Sequence, residues 1–220
     1  MDMMGIRRRV LMGSRKKKSR LPDEYQEVEY IEGTGTQYID ISSTEKEREF
    51  EIVLMPTAKR TNGAMFTGGS LFSDTDGACV LIWTSGIGVR RILNKVSGDS
   101  ATTSIDGVLN KKIRLKCYKS LAEVSNEDTG EIIVNNTNIV SSLWGIPIFL
   151  FHGGSNGAYK TRYVNGRIYY AKYLSGGVLE AELIPCYRKS DGEIGVYDTV
   201  GKGFYTNSGT GTFTKGSDVN

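Results

Sequence analysis

From Asn165 to Lys215 the chain reads NGRIYYAKYLSGGVLEAELIPCYRKSDGEIGVYDTVGKGFYTNSGTGTFTK. Three apolar, aromatic-rich runs lie here, Ile168–Leu174, Val178–Tyr187 and Ile194–Tyr197, followed by Phe204-Tyr205 and Phe213. Runs this short, rich in β-branched and aromatic residues and closed by Gly, Ser and Asp, can be strands joined by tight turns but not helices. Asn165-Gly166, Ser175-Gly176-Gly177, Asp191-Gly192 and Gly201–Gly203 are the expected turns, because glycine and asparagine tolerate the positive φ that hairpins demand. The carboxylates of this stretch and Cys186 read as structural.

The rest of the chain repeats this grammar. Glu27–Ile31 and Gln37–Ile41 are expected short strands on either side of a turn at Gly33–Thr36. Glu47–Pro56 alternates strictly: Phe50, Ile52 and Leu54 on one face, Glu47, Glu49 and Glu51 on the other. That pattern predicts one buried and one wet face, with three like charges that discourage edge-to-edge pairing. In Lys111–Lys119, Ile113, Leu115 and Cys117 point inward, and Lys112, Arg114 and Lys116 point outward. Ala64–Thr67, Ala78–Trp83, Gly88–Leu93, Glu131–Val134, Ile146–Phe151 and Arg167–Leu174 are further strands, and Ser120–Glu123 could hold one helical turn. Glycine is abundant (27) and proline scarce (4), as many tight turns require. The expectation is one all-β domain, residues 21–220, folded as an antiparallel two-sheet jelly-roll sandwich behind a basic arm, residues 1–20.

Charge divides at the same place. Residues 1–20 carry eight Lys/Arg, including Arg7, Arg8, Arg9, Lys16, Lys17 and Lys18, against one acid, whereas the remainder has 20 basic and 24 acidic residues. Four readings of the arm stay open: a solvated tail, phosphate contact with nucleic acid, a membrane-surface helix, or an anchor docking on a partner. The arm lacks interleaved aromatics or any reading motif, which weighs against nucleic acid. Cys79, Cys117 and Cys186 form no CxxC or Cys/His cluster, so neither structural zinc nor a disulfide scaffold is expected, and buried free thiols are. No apolar run approaches the ~18–20 residues of a membrane span, and Val10-Leu11-Met12 is too short for a secretory apolar core. A soluble protein without membrane insertion is the expectation.

Two segments, LPDEYQEVEYIEGTGTQYID and IPCYRKSDGEIGVYDTVGKGFYTNSGTGTFT, resemble the concanavalin A-like (laminin-G-like) jelly-roll domains of bacteriophage and prophage tail, fibre and other virion proteins. The resemblance covers about residues 21–216, residues 56–150 only as a strand pattern, and MGIRRRVLMGSRKKK is similar to leaders of such proteins. It implies a curved sandwich whose concave face or loop rim can bind glycans. The implied setting is the virion, after synthesis in the host cytoplasm. There the domain would be displayed on head or tail, attached to other virion proteins by its arm and present as a homo-oligomer. Glycan adhesion and ligand-free decoration both fit. The phrase Gly-Thr-Gly-Thr recurs at Gly33–Thr36 and Gly209–Thr212, and these two segments are expected to lie side by side and close the sandwich.

Catalytic chemistry finds little support in the residues. A glycan hydrolase of this fold would need two carboxylates about 5–10 Å apart in one cleft. The alternating Glu47/Glu49/Glu51 and Glu180/Glu182 are instead read as charge on solvated faces. His152 is the sole histidine, and no G-x-S-x-G or phosphate-binding loop accompanies it. For glycan binding the candidates are Trp83, Trp144, Asn156, Tyr159 and Tyr163, aromatic platforms and an amide near strand ends, although either Trp could equally be core. Asp74 and Asp76, in Ser73-Asp74-Thr75-Asp76-Gly77, are half of a calcium site at most. No other cofactor is expected.

Overall fold

Hairpins built on Gly176-Gly177 and Gly192 set the topology: all three glycines adopt positive φ (55°, 82° and 74°) in the computed structural model. The structure describes residues 20–41, 49–59, 63–69, 77–82, 86–93, 96–118, 121–136, 148–151 and 164–219. Its first elements are β1 (Tyr25–Glu27), β2 (Ile31–Thr34), β3 (Ile39–Asp40), β4 (Glu49–Pro56), β5 (Gly63–Gly69) and β6 (Gly77–Ile82). There follow β7 (Gly86–Leu93), β8 (Val96–Ser104), α1 (Ile105–Val108), β9 (Ile113–Tyr118), β10 (Leu121–Asn126), β11 (Ile132–Asn136) and β12 (Ile148–Leu150). The closing elements are β13 (Asn165–Ser175), β14 (Val178–Arg188), β15 (Ile194–Asp198), β16 (Phe204–Thr206) and β17 (Thr214–Lys215).

The strands form two antiparallel sheets. The large sheet has 11 strands in the order β11-β10-β9-β4-β13-β14-β15-β16, with β1 on β14 and β2 between β13 and β17; the small sheet has six, β3-β12-β5-β6-β7-β8. The main core lies on one face of the large sheet, where Phe50, Ile52, Leu54, Ile113, Leu115, Cys117, Val124, Ile168, Ala171 and Leu183 gather with Ile87 and Leu150 of the small sheet. The expected inward face of the Lys111–Lys119 segment is thus observed. On the opposite face Leu21, Ile184, Cys186 and Tyr197 make a second apolar cluster, completed by Tyr25, Tyr170 and Phe204. Burial there pushes the Cys186 thiol up to about 12, so it persists as an inert S–H.

The two Gly-Thr-Gly-Thr segments do lie together. The Thr210 N–H donates to the Thr36 carbonyl at 3.1 Å, the Thr36 hydroxyl to Thr210 O at 2.9 Å and Gln37 Nε2 to Thr212 O at 3.0 Å. A Cβ on Gly209 would stand 2.3 Å from Thr36 O, which is why glycine is required at this close approach.

Five local expectations are corrected. Asn165-Gly166 is not a turn but the start of β13, paired with Thr34 and Gly33; partners distant in sequence outweigh its local turn preference. Leu121–Asn126, which includes most of the expected helical turn at Ser120–Glu123, is strand β10, and among the described residues the helical turn is Ile105–Val108 instead. Glu27–Ile31 is broken at Val28, which makes one isolated bridge to Asp218. The strand Val96–Ser104 was not anticipated, because VSGDSATTS carries almost no apolar alternation. Finally, Glu47–Pro56 supplies no edge: β4 is central, between β9 and β13.

Candidate functional site

The outer face of the large sheet carries a row of alternating charges. Residue opposite residue, Glu182 of β14 faces Lys172 of β13, and Lys172 faces Glu51 of β4. Glu51 in turn faces Lys116 of β9, and Lys116 faces Glu123 of β10. Directly opposed side chains of opposite sign attract, so five strands share one electrostatic register. Lys172 Nζ lies 3.0 Å from Glu51, and Lys116 Nζ 3.0 Å from Glu123.

Glu51 is the hub. It is 6% exposed and accepts from the Tyr118 hydroxyl at 2.6 Å, from Lys172, and from Arg114 Nη1. Arg114 also donates through Nε and Nη2 to the two carboxylate oxygens of Glu127, each at 2.6 Å. A planar guanidinium forking onto one carboxylate while touching a second is a rigid, charge-assisted arrangement. Glu49 is buried as well, at 8% exposure. The sequence expectation of a wet acidic face is therefore overturned for both residues: cross-strand cations and phenols cover this face, and only buried charges so paired can persist. Glu182, also read as solvated, is half-buried and accepts from the Thr199 hydroxyl at 2.5 Å and the Tyr170 hydroxyl at 3.2 Å.

A bulge in β13 shapes the site. Ile168 pairs with Leu54, but Tyr170 pairs with the very next residue of β4, Val53, leaving Tyr169 as the extra residue. An inserted residue shifts the alternation by one. Two consecutive tyrosines thereby reach the same outer face, while Ile168 and Ala171 remain in the core. Tyr169 is sandwiched: Lys112 Nζ sits 4.3 Å over its ring and the Tyr30 ring lies at 5.3 Å.

These residues line a cleft of about 440 Å³, with Glu27, Glu29, Glu51, Glu127 and Glu182 as its acids and Arg20, Lys112, Arg114 and Lys172 as its cations. Burial pushes the Tyr118 phenol up to about 12, helped by neighbouring Tyr170 and the Glu49 carboxylate and opposed by Arg114. Burial pushes Tyr170 to about 12 too, reinforced by the charge and hydrogen bond of Glu182. Both phenols consequently remain protonated donors at any ordinary pH. The cleft thus offers fixed donors and acceptors, with ammonium and carboxylate valences beyond those spent internally. Groups of this kind can hydrogen-bond a polar ligand.

The sequence-predicted site residues Trp83, Trp144, Asn156, Tyr159 and Tyr163 lie outside the described residues, as do His152, Asp74, Asp76, Glu47 and the arm residues Arg7–Arg9 and Lys16–Lys18. Among the described residues no group of three or more His, Cys, Asp or Glu is placed to hold a metal ion. The cleft residues escaped notice in the sequence although a signal existed. Outward acids of β4 and outward bases of β9 are complementary patterns, as two strands sharing a polar face would require.

No family model matches the chain, and no curated protein matches it. Solved structures do. A candidate carbohydrate-binding protein from Bacteroides ovatus superposes with a TM-score of 0.54 at 10% identity, over 88% of this chain and 62% of that one. A heptameric SAP-like pentraxin from Limulus polyphemus gives 0.46 at 10% identity, over 67% of this chain and 76% of its own. Domains LG4-5 of the mouse laminin α1 chain give 0.45 at 11% identity, over 72% and 43% respectively. The chain thus shares the antiparallel sandwich fold of the Bacteroides ovatus protein.

Proposed function

We propose that this domain is a non-catalytic glycan-binding module displayed on a bacteriophage particle, and that its binding surface is the outer-face cleft. The observation that carries the reading is the cleft itself: two consecutive tyrosines, aimed by a bulge, beside a pre-organised row of charged hydrogen-bonding groups. Fixed polar groups in a concave site of this size are what oriented recognition of a polar ligand needs. The sandwich shared with the candidate carbohydrate-binding protein of Bacteroides ovatus supports the class of ligand. The resemblance of residues 21–40 and 184–214 to virion domains supports the particle setting, with the basic arm as attachment.

A glycan array tests it, using wild type, Lys112→Ala/Tyr170→Phe in the cleft and Trp144→Ala, the platform expected from the sequence. The expected result is a set of bound glycans whose signal falls about tenfold in the cleft variant, the loss of roughly one good hydrogen bond to a charged group, and stays within about twofold in Trp144→Ala. Silence across the array would leave a structural sandwich without ligand and end the proposal. Loss in Trp144→Ala alone would move the site from the cleft to Trp144.

A hydrolase reading draws on one observation, that five glutamates share the cleft. Four of them are committed to the protein: Glu27 to Arg20, Glu51 and Glu127 to Arg114, and Glu182 to Thr199 and Tyr170. Release of reducing ends from a bound glycan, abolished by Glu51→Gln, would establish it.

A further inference from the structure

The charges that line the cleft are not equally available to a ligand. Most of its five glutamates and four cations are spent on one another. Arg20 holds Glu27 and reaches Glu182 at 3.9 Å, Arg114 holds Glu51 and Glu127, and Lys172 holds Glu51. Two lining charges are left over: among the described residues neither Lys112 nor Glu29 makes an ion pair. They are of opposite sign.

Both are held in place by what surrounds them. The bulge residue Tyr169 seats Lys112, whose ammonium rests 4.3 Å over the ring. Tyr30 backs Tyr169 at 5.3 Å, and Arg167, bonded through Nε to Glu32 at 3.1 Å, covers Tyr30 at 4.4 Å. Glu29 precedes Tyr30, and its N–H donates to the Ser217 carbonyl at 2.9 Å. A Cβ on Gly216 would stand 2.8 Å from the Tyr30 ring and 3.0 Å from Glu29 Cβ, so the closing segment packs against both. Burial pushes the Tyr169 phenol up, Arg167 opposes the rise and the Glu29 carboxylate adds to it. Glu29 and Lys112 thus both act on the same tyrosine.

An ionised ligand group would meet one of these two residues as a partner and the other as a like charge. A hydroxyl meets both as partners, because it donates to a carboxylate and accepts from an ammonium. The other lining charges are paired, and the lining as a whole is within one charge of neutral. No surplus of either sign remains to hold an ionic ligand. We propose that Lys112 and Glu29 are the specificity-determining residues of the cleft, and that together they select a neutral, hydroxyl-rich glycan over its acidic and amine-bearing counterparts. This selectivity rests on the binding reading above.

An array of matched glycans tests the selectivity with the full chain at neutral pH. Each neutral oligosaccharide is printed beside two counterparts, one with a hydroxymethyl oxidised to a carboxylate and one with a hydroxyl replaced by an amine. Wild type is expected to bind the neutral member about tenfold more strongly than either counterpart, since each brings a like charge to the site. The neutral signal should change by less than about twofold between about 0.05 and 0.5 M salt. Glu29→Gln should raise the acidic-to-neutral ratio about tenfold, and Lys112→Gln the amine-to-neutral ratio by a similar factor. Each ratio is taken within one variant, so partial loss of folded protein leaves it unchanged. A wild-type preference for the acidic or the amine-bearing member overturns the selectivity, as does a ratio that stays within about twofold of wild type in either variant. Silence across the whole array ends the binding reading and the selectivity with it. Bound glycans with the wrong charge preference sink the selectivity alone.

Discussion

On its inner face strand β4 sets Phe50, Ile52 and Leu54 into the main core, and on its outer face the same strand buries Glu49 and sets Glu51 among cations and a phenol. All are buried, yet for different reasons. The inner residues are buried because apolar area leaves water, at about 25 cal/mol per Å². Glu51 is buried because Arg114, Lys172 and Tyr118 close over it, and each ion there repays a desolvation cost through its partners. The inner face tolerates any well-packed apolar set of similar volume, whereas the outer face depends on the completeness of a network.

The two faces should therefore break differently. Phe50→Ala opens a cavity in the main core and should cost about 3–5 kcal/mol in urea or guanidinium unfolding. A loss below about 1 kcal/mol would show that the site collapses and that the core is looser than its burial implies. Glu51→Ala leaves Arg114 and Lys172 facing each other without their acid. It should cost about 2 kcal/mol, the buried-pair figure reduced because both cations are partly exposed. The triple change Glu51→Leu/Arg114→Met/Glu127→Gln should cost less than that single change, since Arg114 and both of its acids are neutralised together while Lys172 still faces Glu182. If the triple variant is the less stable, the outer face is a second core and the contrast between the faces disappears.

The smallest effect is a pH slope. The native Tyr118 and Tyr170 phenols keep their protons up to about 12, while in the unfolded chain tyrosine ionises near about 10. Their contribution is complete below the lower value. As pH rises from about 10 towards about 12 the unfolded state loses protons that the native state retains, so stability falls. Unfolding midpoints across that window should show the decline in wild type and a shallower one in Tyr118→Phe/Tyr170→Phe. Equal slopes would place these phenols in water rather than in the network.

The class of fold was legible because its signals are local. Gly176-Gly177 and Asp191-Gly192 mark hairpins by their own conformational freedom, and alternation in Ile113–Tyr118 marks an inner and an outer face by the two-residue period of a strand. The side-by-side Gly-Thr-Gly-Thr segments were legible through their repetition. What a strand's outer face meets is not local. Whether Glu51 is wet depends on β9 and β13 arriving on either side, and Lys116 and Lys172 lie 65 and 121 positions away along the chain.

The tertiary structure alone decided three things about this protein. It placed β4 at the centre of a sheet, which turned an acidic stripe into a buried network. It slipped β13 by one residue against β4, which brought Tyr169 and Tyr170 onto one face where strict alternation would have opposed them. It drew Arg20 from the basic arm into the resulting cleft. By itself the sequence determined an antiparallel sandwich behind a charged arm, since turn propensity and period-2 patterning act over a few residues. The cleft required strands remote in sequence to become neighbours in space, and pairing energy across a sheet carries no mark along the chain.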